Sequence, residues 1–316
     1  MSKDTSAAEY DEFGMFHENA EEFGLPFDGP PIVRRMSVPL GDGRQLSALV
    51  WGESSPELVF LHGGAQNAHT WDTVAMAIGR PLVAIDLPSH GHSDRARTGS
   101  LDVMSNAEDV ATAVRVLAPD ARAVVGMSLG GITTLALSVH APELVHAVVL
   151  VDVTPGVNSE KSTAITNFVN GPESFDDFDS LLARTIEHNP TRTVSSLRRG
   201  ILHNARQRED GTWVWRYARL SPAAGEPVAH PEFGSMWDTV SALRVPLLLV
   251  RGMLPQSVVD DEDEAELLRR APHAQVVHIA NAGHSVQGDT PIELAELIVG
   301  FIDADPQAPI DIPPLA

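Results

Sequence analysis

Arg122-Ala123-Val124-Val125-Gly126-Met127-Ser128-Leu129-Gly130-Gly131 decides how this chain is read. A short run rich in β-branched residues ends in Gly-x-Ser-x-Gly, and a small-residue helical pattern over 132–140 follows at once. The order is strand, tight turn, helix, with a serine at the apex. A serine held on such a turn brings the residues two before and two after it into contact, so Gly126 and Gly130 have no room for side chains. The turn lifts the Ser128 hydroxyl clear of the strand end, and the first turn of the following helix offers free backbone N–H groups beside it. A Gly/Ser-rich βα turn also occurs in nucleotide-binding sheets; here the strand–turn–helix context favours a nucleophile.

Outward from this turn, apolar strand patterns alternate with helical ones. Residues 32–38 and 45–51 read as a hairpin joined by Gly41-Asp42-Gly43. Strands follow at 58–61, 82–85, 123–125 and 147–151, with helices at about 70–78, 106–117 and 132–139 between them. Fully apolar strands in this rhythm predict an α/β fold, a mostly parallel central sheet of about eight strands with helices on both faces. The rhythm stops after Pro155 and resumes with a strand at 245–250, an acidic helix at 260–270, a strand at 275–279 and a last helix near 291–302. The block between has helical patterns and no convincing buried strand, so 156–233 is expected to be an inserted helical cap. The core is then 31–155 with 234–303. Residues 1–30 form an acidic N-terminal extension whose Phe13, Phe16, Phe23 and Phe27 either dock on the body or trail from it. The Pro-rich end, 304–316, reads as a tail.

Composition narrows the function. Among 316 residues, 43 are Asp or Glu and 22 are Lys or Arg, a net charge of −21. Nucleic acid and anionic membrane both need a basic footprint, so neither is expected as a partner. Hydrophobic content of 43% and charged content of 21% are ordinary for a globular protein. The chain has no cysteine, which excludes disulfides, thiolate metal sites and a cysteine nucleophile. Its first residues lack an apolar signal region and no run reaches membrane-spanning length, which predicts a cytoplasmic protein acting on a small molecule. A homo-oligomer is compatible with this composition.

A serine hydroxyl is a weak nucleophile and needs a base, and the base needs an acid to hold its tautomer. Of thirteen histidines, His284 in Ala280-Asn281-Ala282-Gly283-His284 follows the last apolar strand. That loop falls at the C-terminal edge of the sheet, on the side of the Ser128 turn, and respects the chain order serine, acid, histidine.

The whole pattern resembles the α/β-hydrolase superfamily over about residues 32–303. His62-Gly63-Gly64 matches its oxyanion loop, Asp86-Leu87-Pro88-Ser89-His90-Gly91-His92-Ser93 its strand-four turn, Gly126 to Gly130 its elbow and Gly283-His284 its histidine loop. Ser89 departs from the pattern, since many relatives have glycine there. The resemblance implies a serine hydrolase with no cofactor and no metal. It implies oxyanion donors at Leu129, after the nucleophile, and at Gly64. The acid is less direct. Many relatives carry it three residues after a glycine ending the strand that here reads Leu247-Leu248-Leu249-Val250-Arg251-Gly252, and that position is Pro255. A second location in the superfamily, the end of the strand after the elbow helix, holds Asp152. Asp152 is therefore the expected acid, with Asp260 or Asp261, at the start of the acidic helix, as the alternative.

Two further patterns have the look of metal sites. His90-x-His92-x-Asp94 has metal-box spacing, but it overlaps the strand-four turn, and no other cluster completes a site. The run Asp260 to Glu264 lacks the alternating ligands of a calcium loop and reads as a solvated helix start. In the cap, Trp213, Trp215 and Tyr217, with Phe168, are either its own core or the lining of an apolar substrate pocket. The expected activity is hydrolysis of an ester or lactone of a small to medium hydrophobic substrate through an acyl-enzyme. A carbon–carbon bond hydrolase or cofactor-free perhydrolase on the same triad, and a non-catalytic small-molecule receptor, are the alternatives.

Overall fold

The computed structural model describes residues 10–97, 102–157, 160–189, 192–218 and 233–304. Helix α1 (Phe16–Phe23) precedes the hairpin of β1 (Val33–Pro39) and β2 (Gln45–Trp51). Then β3 (Leu58–Leu61), α2 (Asp72–Ile78), β4 (Leu82–Ile85), α3 (Val103–Leu117), β5 (Ala123–Met127), α4 (Leu129–His140) and β6 (Val148–Val151) alternate as expected. The insertion holds α5 (Thr163–Val169), β7 (Ser174–Phe175), α6 (Phe178–His188), α7 (Val194–Asn204), β8 (Ala205–Gln207) and β9 (Trp213–Trp215). The core closes with α8 (Trp237–Ala242), β10 (Leu247–Gly252), α9 (Asp261–Arg270), β11 (Gln275–Ile279), α10 (Val286–Asp289) and α11 (Pro291–Asp303).

Eight strands form the main sheet in the order β1-β2-β4-β3-β5-β6-β10-β11. β2 runs antiparallel to both β1 and β4, and the remaining pairs are parallel. Every residue of β3, β4, β5, β6 and β10 is buried, because helices cover both faces. On one face Val110, Leu135, Val240 and Leu267 bring α3, α4, α8 and α9 into one apolar cluster. On the other, Phe16, Val74, Leu294 and Ile298 do the same for α1, α2 and α11. After β4 the chain returns to the opposite side of β3, so β3 and β5 are neighbours whose following loops diverge. Such a switch in strand order opens a crevice at the C-terminal edge of the sheet. Leu61 and Gly126 are register partners there, which sets the loop after β3 beside the Ser128 turn.

The expectation of a purely helical insertion is corrected. β7, β9 and β8 form a three-stranded antiparallel sheet in that order. These strands are two or three residues long and each buries one residue, Phe175, Val214 or Ala205, so no alternation is visible in the sequence. With Leu181 and Ile201, Phe175 and Ala205 make a small core for the insertion itself.

The N-terminal extension docks. Phe16 is 2% exposed, and its ring meets Trp51 edge-on at 5.2 Å between centroids. Gly24, left-handed at φ 66°, terminates α1. The tail expected at 304–316 lies outside the described residues apart from Ala304. No described helix is long and apolar enough to cross a membrane.

Candidate active site

Excluded volume builds the turn at Ser128. Ser128 sits at φ 51°, ψ −119°, a region a non-glycine residue adopts only when its surroundings enforce it. A side chain at Gly126 would strike the Gly130 backbone, and one at Gly130 would strike the carbonyls of Leu61 and His62. Gly131 is equally constrained, against Val153. The turn therefore closes onto β3 through bare backbone, and α4 starts at Leu129, in whose first turn the N–H groups have no partner within the helix.

Asp152 ends β6 in the left-handed region at φ 47°, which aspartate tolerates better than most residues. Its carboxylate is fully buried. Four donors converge on it: the N–H of Gly252 at 3.0 Å, the hydroxyl of Ser257 at 2.6 Å, the N–H of Val258 at 3.1 Å and Nδ1 of His284 at 2.9 Å. A buried carboxylate needs such partners to offset its desolvation. The imidazole of His284 thus donates from Nδ1, and Nε2 is left as its basic nitrogen. The loop after β10, where many relatives carry the acid, here supplies Ser257 and Val258 as donors to an acid from β6. Asp260 and Asp261 serve elsewhere. Asp260 caps α9 by accepting from the Asp263 N–H and pairs with Lys161 at 2.7 Å, and the Asp261 side chain is 95% exposed.

Two neutral histidines shape the loop after β3. His62 donates from Nδ1 to the carbonyl of Gly63 at 2.7 Å and accepts at Nε2 from the Leu87 N–H at 2.9 Å. His90 donates to the Pro88 carbonyl at 2.9 Å and accepts from the Ala65 N–H at 3.0 Å. Burial, helped by the neighbouring His90, pushes the His62 pKa down to about 3. With both nitrogens of His90 engaged and Asp94 accepting from the Gln45 N–H, the His90-x-His92-x-Asp94 spacing builds turns. The loop's N–H groups divide. Those of Gly63, Ala65 and Gln66 are taken by Gln66 Oε1, His90 and the Gly63 carbonyl, while that of Gly64 has no partner among the described residues. A Cβ at Gly64 would meet nothing within 4 Å, so packing does not demand this glycine.

A cavity of about 170 Å³ lies beside these residues. It is lined by Ala65 and Gln66 next to Gly64, by Ser285 next to His284, by Asn19 and Phe23 of α1, and by Phe168, Arg192, Leu197 and Trp215 of the insertion. Of the aromatic residues expected there, Trp215 and Phe168 line it. Trp213 instead packs edge-on to Phe178 within the insertion, and Tyr217 is buried against the Trp215 ring. The wall is also far more polar than an apolar pocket, with Asn67, Thr70, Asn189, Ser196, Arg199, Asn204 and Gln287 contributing.

No local sequence pattern signals the buried polar network behind that wall. His69 donates or accepts at both nitrogens, to Asp72 at 2.8 Å and Glu12 at 3.0 Å, and stacks on His203 at 3.8 Å. Tyr10 bonds His203 at 2.7 Å. Burial pushes the His69 imidazole down, but Asp72 and the hydrogen bonds to Asp72 and Glu12 outweigh it and raise its pKa to about 9. Burial raises Glu12, and His69 and Arg35 outweigh that and lower it to about 2. The donor atoms of His69, Asp72 and His203 lie within 4.8 Å of one another, the spacing a metal ion would need. Here they bond each other, Tyr10 and Glu12. His203 stands 131 residues beyond Asp72 (203 − 72), which hides the group in the sequence.

Residues 58–297 match the alpha/beta hydrolase family. The chain is 43% identical over 312 residues to esterase Rv0045c of Mycobacterium tuberculosis, covering 96% of this chain and 99% of that one. A solved structure of that esterase aligns at TM-score 0.82 over 94% of this chain and all of the other (100%), at 42% identity. The 2-(acetamidomethylene)succinate hydrolase of Mesorhizobium japonicum is 29% identical over 258 residues, 79% of this chain and 89% of that one.

Proposed function

Because the chain belongs to the alpha/beta hydrolase family, we propose that it is a serine hydrolase cleaving carboxylic esters, lactones included, through an acyl-enzyme. The observation that carries this reading is the strained Ser128 turn in a fold where His284 is bonded to a buried Asp152. The esterase name of the relative at 43% identity supports the ester as the bond cleaved.

In this mechanism Ser128 Oγ attacks the ester carbonyl while His284 Nε2 takes its proton. Asp152 keeps Nδ1 protonated and stabilises the imidazolium. The N–H groups of Gly64 and Leu129 hold the oxyanion of the tetrahedral intermediate. Its collapse breaks the bond to the alkoxide, which leaves with the proton from His284. Water then attacks the acyl-serine with His284 again as base, and the carboxylic acid departs. Residues 156–233 act as the lid over this reaction, and Trp215 and Phe168 supply its apolar surface.

A fluorophosphonate probe tests the reading. Labelling of Ser128, lost in Ser128→Ala, together with turnover of p-nitrophenyl esters, is the expected result. Tight ligand binding with neither labelling nor turnover would make the chain a receptor instead.

A further inference from the structure

One wall of the cavity holds a cation with no direct ion-pair partner among the described residues, although Asp289 and Glu22 lie near enough to favour its charge. Two arginines line it, Arg192 and Arg199. Arg199 is matched: Glu22 accepts from its Nη2, and Asn19 accepts from its Nε at 2.8 Å. Among the described residues the Arg192 side chain bonds only the Ser196 hydroxyl, through Nη2. Its Nε is buried with no hydrogen-bond partner, and it makes no ion pair with a carboxylate of the described residues. Arg192 is half-buried, but a buried N–H group such as its Nε is normally bonded. An exception lining a cavity next to a reactive centre is where a ligand's opposite charge belongs.

The surroundings of Arg192 are built to keep it there. A Cβ on Gly288 would come within 2.5 Å of its Nη1, so the guanidinium packs directly against a glycine. Gly288 lies in α10, the short helix that follows His284. Gln287, 2% exposed and on the same wall, has a second orphaned atom, its Oε1. Its amide nitrogen lies 3.3 Å from the Thr70 hydroxyl. A hydroxyl donates as readily as it accepts, so the amide turned over keeps the Thr70 bond and presents N–H to the cavity. Arg192 and Gln287 then offer neighbouring donors to one acceptor group.

We propose that this end of the cavity binds a carboxylate of the substrate, so that the preferred esters are half-esters of short dicarboxylic acids. Arg192 is the specificity residue, and Gln287 and the bare Gly288 surface assist it. A planar guanidinium suits a planar carboxylate. The second carboxylate stays ionised in the pocket while the ester carbonyl reacts at Ser128, and hydrolysis releases a dicarboxylate and an alcohol. This inference rests on the serine-hydrolase reading above and adds the substrate's charge to it.

The test measures kcat/KM for monomethyl adipate and methyl hexanoate, equal in chain length and differing in the terminal carboxylate. Wild type should favour the half-ester, and Arg192→Gln should lower the half-ester to neutral-ester ratio by about 10- to 100-fold, the size of a lost charge-assisted hydrogen bond. Arg192→Lys should recover part of the ratio. Adipate should inhibit competitively, and hexanoate more weakly. An unchanged ratio in Arg192→Gln, or a wild-type preference for the neutral ester, overturns the proposal. Should Arg192→Gln not fold, the wild-type preference and the adipate inhibition decide alone. If methyl hexanoate is hydrolysed and Ser128→Ala is inert but carboxylates have no effect, only this inference falls. If neither ester reacts and the probe leaves Ser128 unlabelled, the hydrolase reading falls first.

Discussion

The turn at Ser128 and the loop after β10 meet at one edge of the sheet and are held in shape by different forces. The turn is held by repulsion: Gly126 and Gly130 touch backbone on all sides, and any side chain there collides. The loop is held by attraction, with the Val258 N–H group and the Ser257 hydroxyl both drawn to Asp152. A steric constraint narrows the residue type and so marks the sequence. A backbone N–H is available from any residue but proline, so a hydrogen-bonded constraint leaves almost no trace.

The contrast predicts a ranking of effects. Ser128→Ala and His284→Ala should each lower kcat by about 10⁵-fold or more with the protein still folded, as circular dichroism would verify. Asp152→Asn should cost about 10⁴-fold by fixing the wrong imidazole tautomer. Asp260→Asn should stay near wild type, since asparagine also caps α9; the reverse pattern would move the acid to that helix. Gly130→Ala should destabilise by more than about 3 kcal/mol in denaturant titration, against about 1 kcal/mol for Ser257→Ala, which removes one of four donors. Equal losses would erase the distinction between the two loops. Gly64→Ala keeps its N–H and meets no protein atom, so it should fold like wild type and lose kcat/KM only through contact with substrate.

The smallest effect is one of pH. The folded pKa of His69 is raised to about 9, so its contribution is complete below its unfolded value near 6.5 and is lost as pH rises through about 9. Glu12, lowered to about 2, contributes above its usual carboxylate range and loses this as pH falls toward 2. The melting-temperature difference between wild type and Glu12→Gln should therefore be greatest between about pH 4.5 and 6.5 and shrink on going above pH 9. A difference that stays constant to pH 10 would mean that Arg35 alone holds Glu12.

Legibility followed the same physics. The strand and helix rhythm of the core was plain because each strand is a continuous apolar run and each elbow glycine is demanded. Asp152 could be singled out because Pro255 stands where many relatives keep the acid. Ser257 and Val258 could not, since their contribution lies in a loop conformation. β7, β8 and β9 escaped because strands burying one residue have no period. Arg192 and His69 escaped for a different reason: what distinguishes them is the partner absent from one and the distant partners gathered by the other, and neither is a property of local sequence.

The docked N-terminal segment bears on how this protein would be cut. Trimming it at residue 31 would delete Asn19 and Phe23 from the cavity wall, strip Arg199 of Glu22, and remove Tyr10 from His203 and Glu12 from His69. The sheet, elbow and Asp152–His284 pair contain none of those residues. Such a truncated protein would keep Ser128 and lose part of the wall of the cavity nearby, and with it some of its selectivity.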